Sequence, residues 1–263
     1  AYDAFLSKHG GADNAFTELE STVYHLCIPQ ERLFDALGMF SQFFIAPLLL
    51  EEAVEREMNS IESEFQLSKN SDQCRLQQLI CHSSGGLESG HPFTKFSWGN
   101  LKTLKDIPVE AGIDVMDMLW NFYNQYYFAR NMRLVVIGAY TLDELQDRVV
   151  KEFSNIPEGP RAAFGEFPIQ YNGLGWDAML ESPMRQLSMP LQPSSLNKIY
   201  RLVPVSDRHT LSITWQIPSQ ISHWKSKPCD YISHLLGHES QGSLLSYLKE
   251  KSWVTECYCG VGS

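Results

Sequence analysis

The chain has 263 residues, a formal net charge of -10 at pH 7, 43% hydrophobic and 20% charged side chains. That mixture excludes a disordered tail, a collagen-like repeat and a coiled coil. It leaves room for one large domain or two ordinary ones. The acidity excludes a nucleic-acid surface, which needs clustered Lys and Arg. No apolar run reaches the roughly 18 residues of a membrane span.

Taken in chain order, Tyr2, Phe5, Leu6 and His9 fall at helical spacing, and Gly10-Gly11 ends that helix. The chain thus opens inside a helix, with no initiator Met and no signal peptide, and reads as an excerpt of a longer protein. Residues 14–28 hold two strand candidates broken near 18–21, and the second is rich in strand-type residues. After Pro29 comes a helix with Leu33, Ala36, Leu37, Phe40, Phe43 and Phe44 on one broad face, stopped by Pro47. Helices are expected over 51–68 and 72–82, then a glycine- and proline-punctuated loop over 85–108. A helix over 113–127, a buried strand over 133–137 and a helix over 142–153 with Thr141 as N-cap follow.

Proline and glycine recur through 155–198, which is the best linker in the chain. Beyond it, strands are expected at 199–203, 210–216 and 254–259, and helices at 230–236 and 243–251. This pattern predicts an α+β fold, a largely antiparallel sheet with helices on one face. The expected division is a first domain over 1–175, a linker over 176–198 and the start of a second domain over 199–263. Six scattered cysteines, with no C-x-x-C pair, read as reduced thiols and a cytoplasmic location.

Two side-chain groupings bear on chemistry. On the 51–68 helix, Val54, Met58, Ile61 and Phe65 form an apolar stripe. At about 100° per residue, Glu57 and Glu64 lie within roughly 20° of each other beside it, about 10.5 Å apart along the axis. They cannot easily share one ion at that distance. One could ligate a metal while the other orients a ligand, or both could be a solvated acidic edge, which the spacing alone favours. His234-x-x-x-His238 places two imidazoles on one helical face, a pair able to hold zinc with a further ligand. Gly237 and Gly242 put that pair near a helix end, where capping of carbonyls is the plainer role. Asn14-Ala15-Phe16-Thr17 reads as a short strand, with an exposed peptide-pairing edge as the alternative.

Several blocks together resemble one family. They include Tyr2-Asp3-Ala4-Phe5-Leu6, Lys8-His9-Gly10-Gly11, Asp13-Asn14-Ala15 and Gln42-Phe43-Phe44-Ile45-Ala46-Pro47-Leu48. Arg56-Glu57, Ser63-Glu64-Phe65-Gln66-Leu67, Gly90-His91-Pro92, Lys95-Phe96-Ser97-Trp98-Gly99-Asn100 and Gly237-His238-Glu239 continue the likeness along nearly the whole chain. They resemble the nardilysin/insulysin family of zinc metallopeptidases, whose signature is H-x-x-E-H, with the nardilysin branch nearer. The resemblance implies a clamshell of repeated α+β domains that encloses peptides and cleaves them, in the nardilysin branch at basic or paired-basic sites. It implies that Glu64 is a Zn2+ ligand and that Glu57 supports the site from behind. It further implies that Asn14, Ala15 and Phe16 pair with the scissile peptide, while His238, Tyr258, Cys259 and Gly260 hold its N-terminal end. The histidine pair then carries no metal.

One departure matters: no H-x-x-E-H occurs in these 263 residues. Two zinc-ligand histidines and the general-base glutamate are therefore absent, so this chain alone is expected to be inactive and to hold zinc weakly. Ser240-Gln241 also stands where the family is richer in glycine. The implied partners are basic peptides and the C-terminal half of the same polypeptide, with no nucleic acid and no membrane. The rival expectation is a non-catalytic, peptide-binding scaffold that kept the fold and lost the metal.

Overall fold

A computed structural model describes residues 2–19, 21–85, 91–159 and 190–261. It divides into two units, Ala1–Leu211 and Ser212–Ser263. Most of the expected linker, over 176–189, and residues 86–90 of the expected loop lie outside the described residues.

In the first unit, α1 (Tyr2–Lys8) buries Leu6 and stops at Gly10, whose φ of 70° is a left-handed turn that suits glycine. Strands β1 (Ala12–Thr17) and β2 (Thr22–Cys27) pair antiparallel, with Asn14 opposite His25, Ala15 opposite Tyr24 and Phe16 opposite Val23. A short 3-10 turn, Gln30–Arg32, leads into α2 (Leu33–Phe40) and α3 (Gln42–Ile45). The acidic α4 (Glu51–Ser68) and then α5 (Asp72–Ser83) follow, the latter capped by the Ser71 hydroxyl accepting from Cys74 N.

The expected loop is shorter than its punctuation suggests. It contains a π-helical turn, Lys102–Asp106, and runs directly into α6 (Ile107–Glu110). Helix α7 (Val115–Tyr126) starts at Asp114, whose carboxylate accepts from Met116 N and Asp117 N. Helix α8 (Leu142–Phe153) begins with a full capping box: Thr141 Oγ1 accepts from Glu144 N at 3.3 Å, and Glu144 Oε2 accepts from Thr141 N at 2.9 Å. The bonds that Glu144 Oε2 accepts from Thr141 N and, at 2.8 Å, from Thr141 Oγ1 hold the Glu144 carboxyl below its ordinary range.

The core of this unit lies between α2 and α8. Leu33, Leu37 and Leu145 are buried, with Ile28, Phe34, Val136, Tyr140 and Phe153 packed around them. Arg148 reinforces the seam: its guanidinium lies 5.3 Å from the centre of the Phe34 ring and donates to Phe34 O at 2.9 Å. Phe34 stacks in turn on Tyr140, with ring centres 4.4 Å apart. A second, aromatic cluster ties β2 to α3 and α7. Tyr24 packs edge-on against Phe44 and shares a hydroxyl–hydroxyl hydrogen bond with Tyr127. Burial, helped by that bond, pushes the Tyr127 phenol upward. Burial also pushes Tyr2, wedged against Phe43, up to about 12.

The second unit has α9 (Pro228–Leu236) and α10 (Leu244–Glu250), capped by Ser243 and burying Leu245. Among the described residues only β1 and β2 form a ladder. The strands expected at 133–137, 199–203, 210–216 and 254–259 are irregular, with Ile137 88%, Ile199 86% and Leu211 85% exposed. Alternation of apolar residues suits a pleated, half-buried surface, but a strand exists only when a neighbour supplies the ladder. The described fold is thus helix-rich with a two-stranded antiparallel sheet.

Candidate functional site

Helix α4 is organised by its apolar stripe. Val54, Met58, Ile61 and Phe65 are half-buried, and Phe65 meets Phe96 edge-on at 5.8 Å. Gly99 lets the following loop come close: a Cβ there would lie 2.8 Å from Leu104 Cδ1 and 3.1 Å from Ile61 Cγ2. The close approach brings the π-helical turn alongside the helix.

Two carboxylate pairs flank that stripe, each with a seven-residue repeat. Glu55 and Glu62 lie on one side, Glu57 and Glu64 on the other, roughly 160° apart around the axis at about 100° per residue. The first pair is engaged. Lys105 Nζ donates to Glu55 Oε1 at 2.7 Å, Leu101 N donates to Glu62 Oε2 at 2.8 Å, and Gln66 Nε2 donates to Glu62 Oε1 at 2.6 Å. These contacts lower both carboxyls below their ordinary range, through Lys105 for Glu55 and through Gln66 first for Glu62. The second pair is exposed, and neither Glu57 nor Glu64 has a hydrogen bond or ion pair among the described residues. One flank of α4 is structural and the other is left open.

The sequence marked the open pair and passed over the engaged one. The signal was present, since Glu55 and Glu62 show the same spacing. Only the contact with a loop 39 residues away separates the two roles.

The other candidate residues fall into two places. Asn14, Ala15 and Phe16 sit in β1, all exposed, and β1 has a ladder partner on one side only among the described residues. Asn14 Oδ1 accepts from Ala15 N at 2.8 Å, and Phe16 is 50% exposed. In the second unit, the end of α9 meets the 257–260 segment. A Cβ at Gly237 would lie 3.5 Å from Cys259 N, so the structure does bring the neighbourhood of His238 beside Cys259. Tyr258 projects outward at 92% exposure, next to Gly260. His234 and His238 face each other with ring centres 5.5 Å apart.

No group of three or more His, Cys, Asp or Glu able to hold a metal ion exists among the described residues. The donors here do not fit a zinc site by themselves. Glu64 supplies one carboxylate, and the histidine pair has no third donor among the described residues. All six cysteines are free thiols, and no helix of the described residues is long and apolar enough to cross a membrane.

Comparison with known proteins gives these positions a context. Residues 1–84 match the family model described as insulinase, peptidase family M16, and residues 115–263 match that of the peptidase M16 inactive domain. The chain is 42% identical to the nardilysin-like protein of Arabidopsis thaliana and 40% to nardilysin of Homo sapiens, over 99% of its length in both cases. It is 39% identical to insulin-degrading enzyme of Bos taurus over 96% of its length. It spans 23%, 21% and 23% of those three proteins. The crystal structure of pitrilysin shares its fold, with a TM-score of 0.69 at 24% identity over 95% of this chain and 24% of that one. The sequence and the fold agree, and the chain belongs to peptidase family M16, the family of nardilysin and insulin-degrading enzyme.

Proposed function

We propose that this chain is a segment of a longer zinc metalloendopeptidase that hydrolyses peptides enclosed in a chamber. The observation that carries this reading is the open flank of α4. Two glutamates stand there without a side-chain partner among the described residues, while their twins on the opposite flank are engaged by Lys105, Leu101 and Gln66. Exposed carboxylates that stabilise nothing locally suit a role toward a group supplied from elsewhere. On this reading Glu64 is one zinc donor and Glu57 orients the site from behind. The remaining donors come from an H-x-x-E-H outside these 263 residues, and this chain by itself is inactive.

The free side of β1, at Asn14, Ala15 and Phe16, takes an extended peptide by strand addition. The surface at His238, Tyr258, Cys259 and Gly260 takes its N-terminal end. The net charge of -10 supports basic, often paired-basic, substrates. Residues 1–175 belong to one α+β domain of a clamshell, and 199–263 open the next. The C-terminal half of the same polypeptide closes the chamber. Free thiols support a cytoplasmic location.

The test uses the full-length polypeptide and a fluorogenic peptide with a paired-basic site. Hydrolysis is expected to stop on treatment with a zinc chelator, to return on adding zinc, and to fall when the basic pair is replaced by an acidic one. Cleavage that survives the chelator contradicts the zinc reading. An intact polypeptide that binds the peptide without cleaving it supports a non-catalytic scaffold instead.

A further inference from the structure

Helix α5 holds a distant stretch of the chain at both of its ends. At its C-terminal end, Gln192 N donates to Ser84 O at 2.9 Å, and Ser195 Oγ donates to Ser83 O. At its N-terminal end, Asp72 is the centre of a cluster. Asp72 Oδ1 accepts from Arg75 Nη1 at 2.8 Å and from Val205 N at 2.9 Å. Asp72 Oδ2 accepts from Ser206 N and Ser206 Oγ, both at 3.2 Å. Arg75 Nη1 also donates to Val203 O at 2.9 Å. Residues 192–206 therefore run back along α5 as a strap. A twelve-residue helix is about 18 Å long, and the chain from Ser195 to Val203, with seven residues between them, can reach about 27 Å, so the strap is not taut.

What fixes the strap is polar. Most of its apolar side chains are turned out, with Ile199 86%, Val203 81% and Val205 60% exposed, while Leu202 is half-buried. A segment held by buried apolar area would survive the loss of one hydrogen-bonding group, and this one, with no fully buried apolar side chain, has little of that reserve. The two fixings also differ in kind. The one at 192–195 uses the neutral carbonyls of Ser83 and Ser84. The one at 203–206 depends on a single carboxylate and its guanidinium neighbour, and charge-assisted bonds are the stronger sort.

We propose that Asp72 and Arg75 form a latch that holds the strap at 203–206 and can release that end while the other stays attached. Both are positioning residues. They fix the path of the chain just before the first unit ends at Leu211.

The latch is tested by hydrogen exchange on the full chain, with tryptic cleavage at Arg201 and Arg208, both exposed, as a second readout. In Asp72→Asn an amide NH2 replaces one oxygen and meets backbone N–H donors. Exchange at Val205 and Ser206, whose N–H groups donate to that carboxylate, is then expected to rise about tenfold or more, the range of losing hydrogen bonds to a charged group. Exchange within α5 and at residues 192–195 is expected to stay within about twofold of wild type, since their bonds are untouched. Arg75→Gln leaves the carboxylate in place and is expected to give a smaller rise at the same two residues. It also decides the matter if the Asp72 variant fails to fold. Unchanged exchange at 203–206 overturns the latch, and so does an equal rise at 192–195, which would mean the strap lifts as a whole.

Discussion

Glu64→Gln in the full-length polypeptide is expected to lower kcat/KM for peptide hydrolysis by more than about a hundredfold, with no change in melting temperature. The stability half of this expectation comes from the structure. Glu64 is exposed and has no hydrogen bond or ion pair among the described residues, and surface substitutions of that kind cost within about 0.5 kcal/mol. The activity half comes from the proposed role. Groups that orient a metal ligand from behind cost about 10–100-fold when replaced, and a ligand is expected to exceed that. Glu57→Gln is therefore expected to fall inside that range.

Two neighbours on the same helix are the controls. Glu55→Gln and Glu62→Gln take the charge out of the contacts with Lys105 and Leu101 that hold the π-helical turn, and so weaken them. They are expected to loosen that turn and to leave bound zinc unchanged. Parallel measurement of zinc content, activity and melting temperature separates the two flanks. Equal loss of zinc in all four variants would mean that α4 acts only as a scaffold.

The largest stability effect is expected at Leu37. It is 4% exposed and belongs to the buried cluster with Leu33 and Leu145, against which Phe34 and Tyr140 pack. Leu37→Ala removes three methyl(ene) carbons from a site braced on several sides, and substitutions of that type cost about 2–5 kcal/mol. At about 2–4 °C per kcal/mol for a chain of comparable size, the melting temperature of the chain is expected to fall by about 10 °C. The reserve elsewhere is small, since among the described residues only eight hydrophobic side chains are buried. Leu48→Ala, at 77% exposure, is the matched control and is expected to do little. A fall below about 2 °C for Leu37→Ala would show that the seam does not carry the stability of this unit.

The helices were legible because their signals are local. The apolar period and acidic first turn of α4 place it at Glu51–Ser68, and Thr141 with Glu144 marks the start of α8 within four residues. The two strands β1 and β2 were legible from their composition and the break between them, and the structure pairs them as neighbours in sequence. The segments at 133–137, 199–203, 210–216 and 254–259 carry strand-type residues, yet their ladders would have to come from far away in sequence, and composition holds no record of that. The candidate site divides along the same line. The helical wheel places Glu57 and Glu64 together beside the stripe. It is silent on which acidic pair is used up by a loop, because Leu101 is 39 residues from Glu62. The Asp72 cluster was invisible for a stronger form of that reason, with Val205 133 residues away and joined through a backbone N–H that any residue but proline could offer.

The most direct test of the account is a diffraction map of the zinc-bound full-length polypeptide, with the metal located by its anomalous signal. The account predicts a zinc peak about 2.0–2.2 Å from a Glu64 carboxylate oxygen, the ordinary zinc–carboxylate distance, with Glu57 close by and unligated. A zinc ion bound elsewhere, with Glu64 left in solvent, would contradict it.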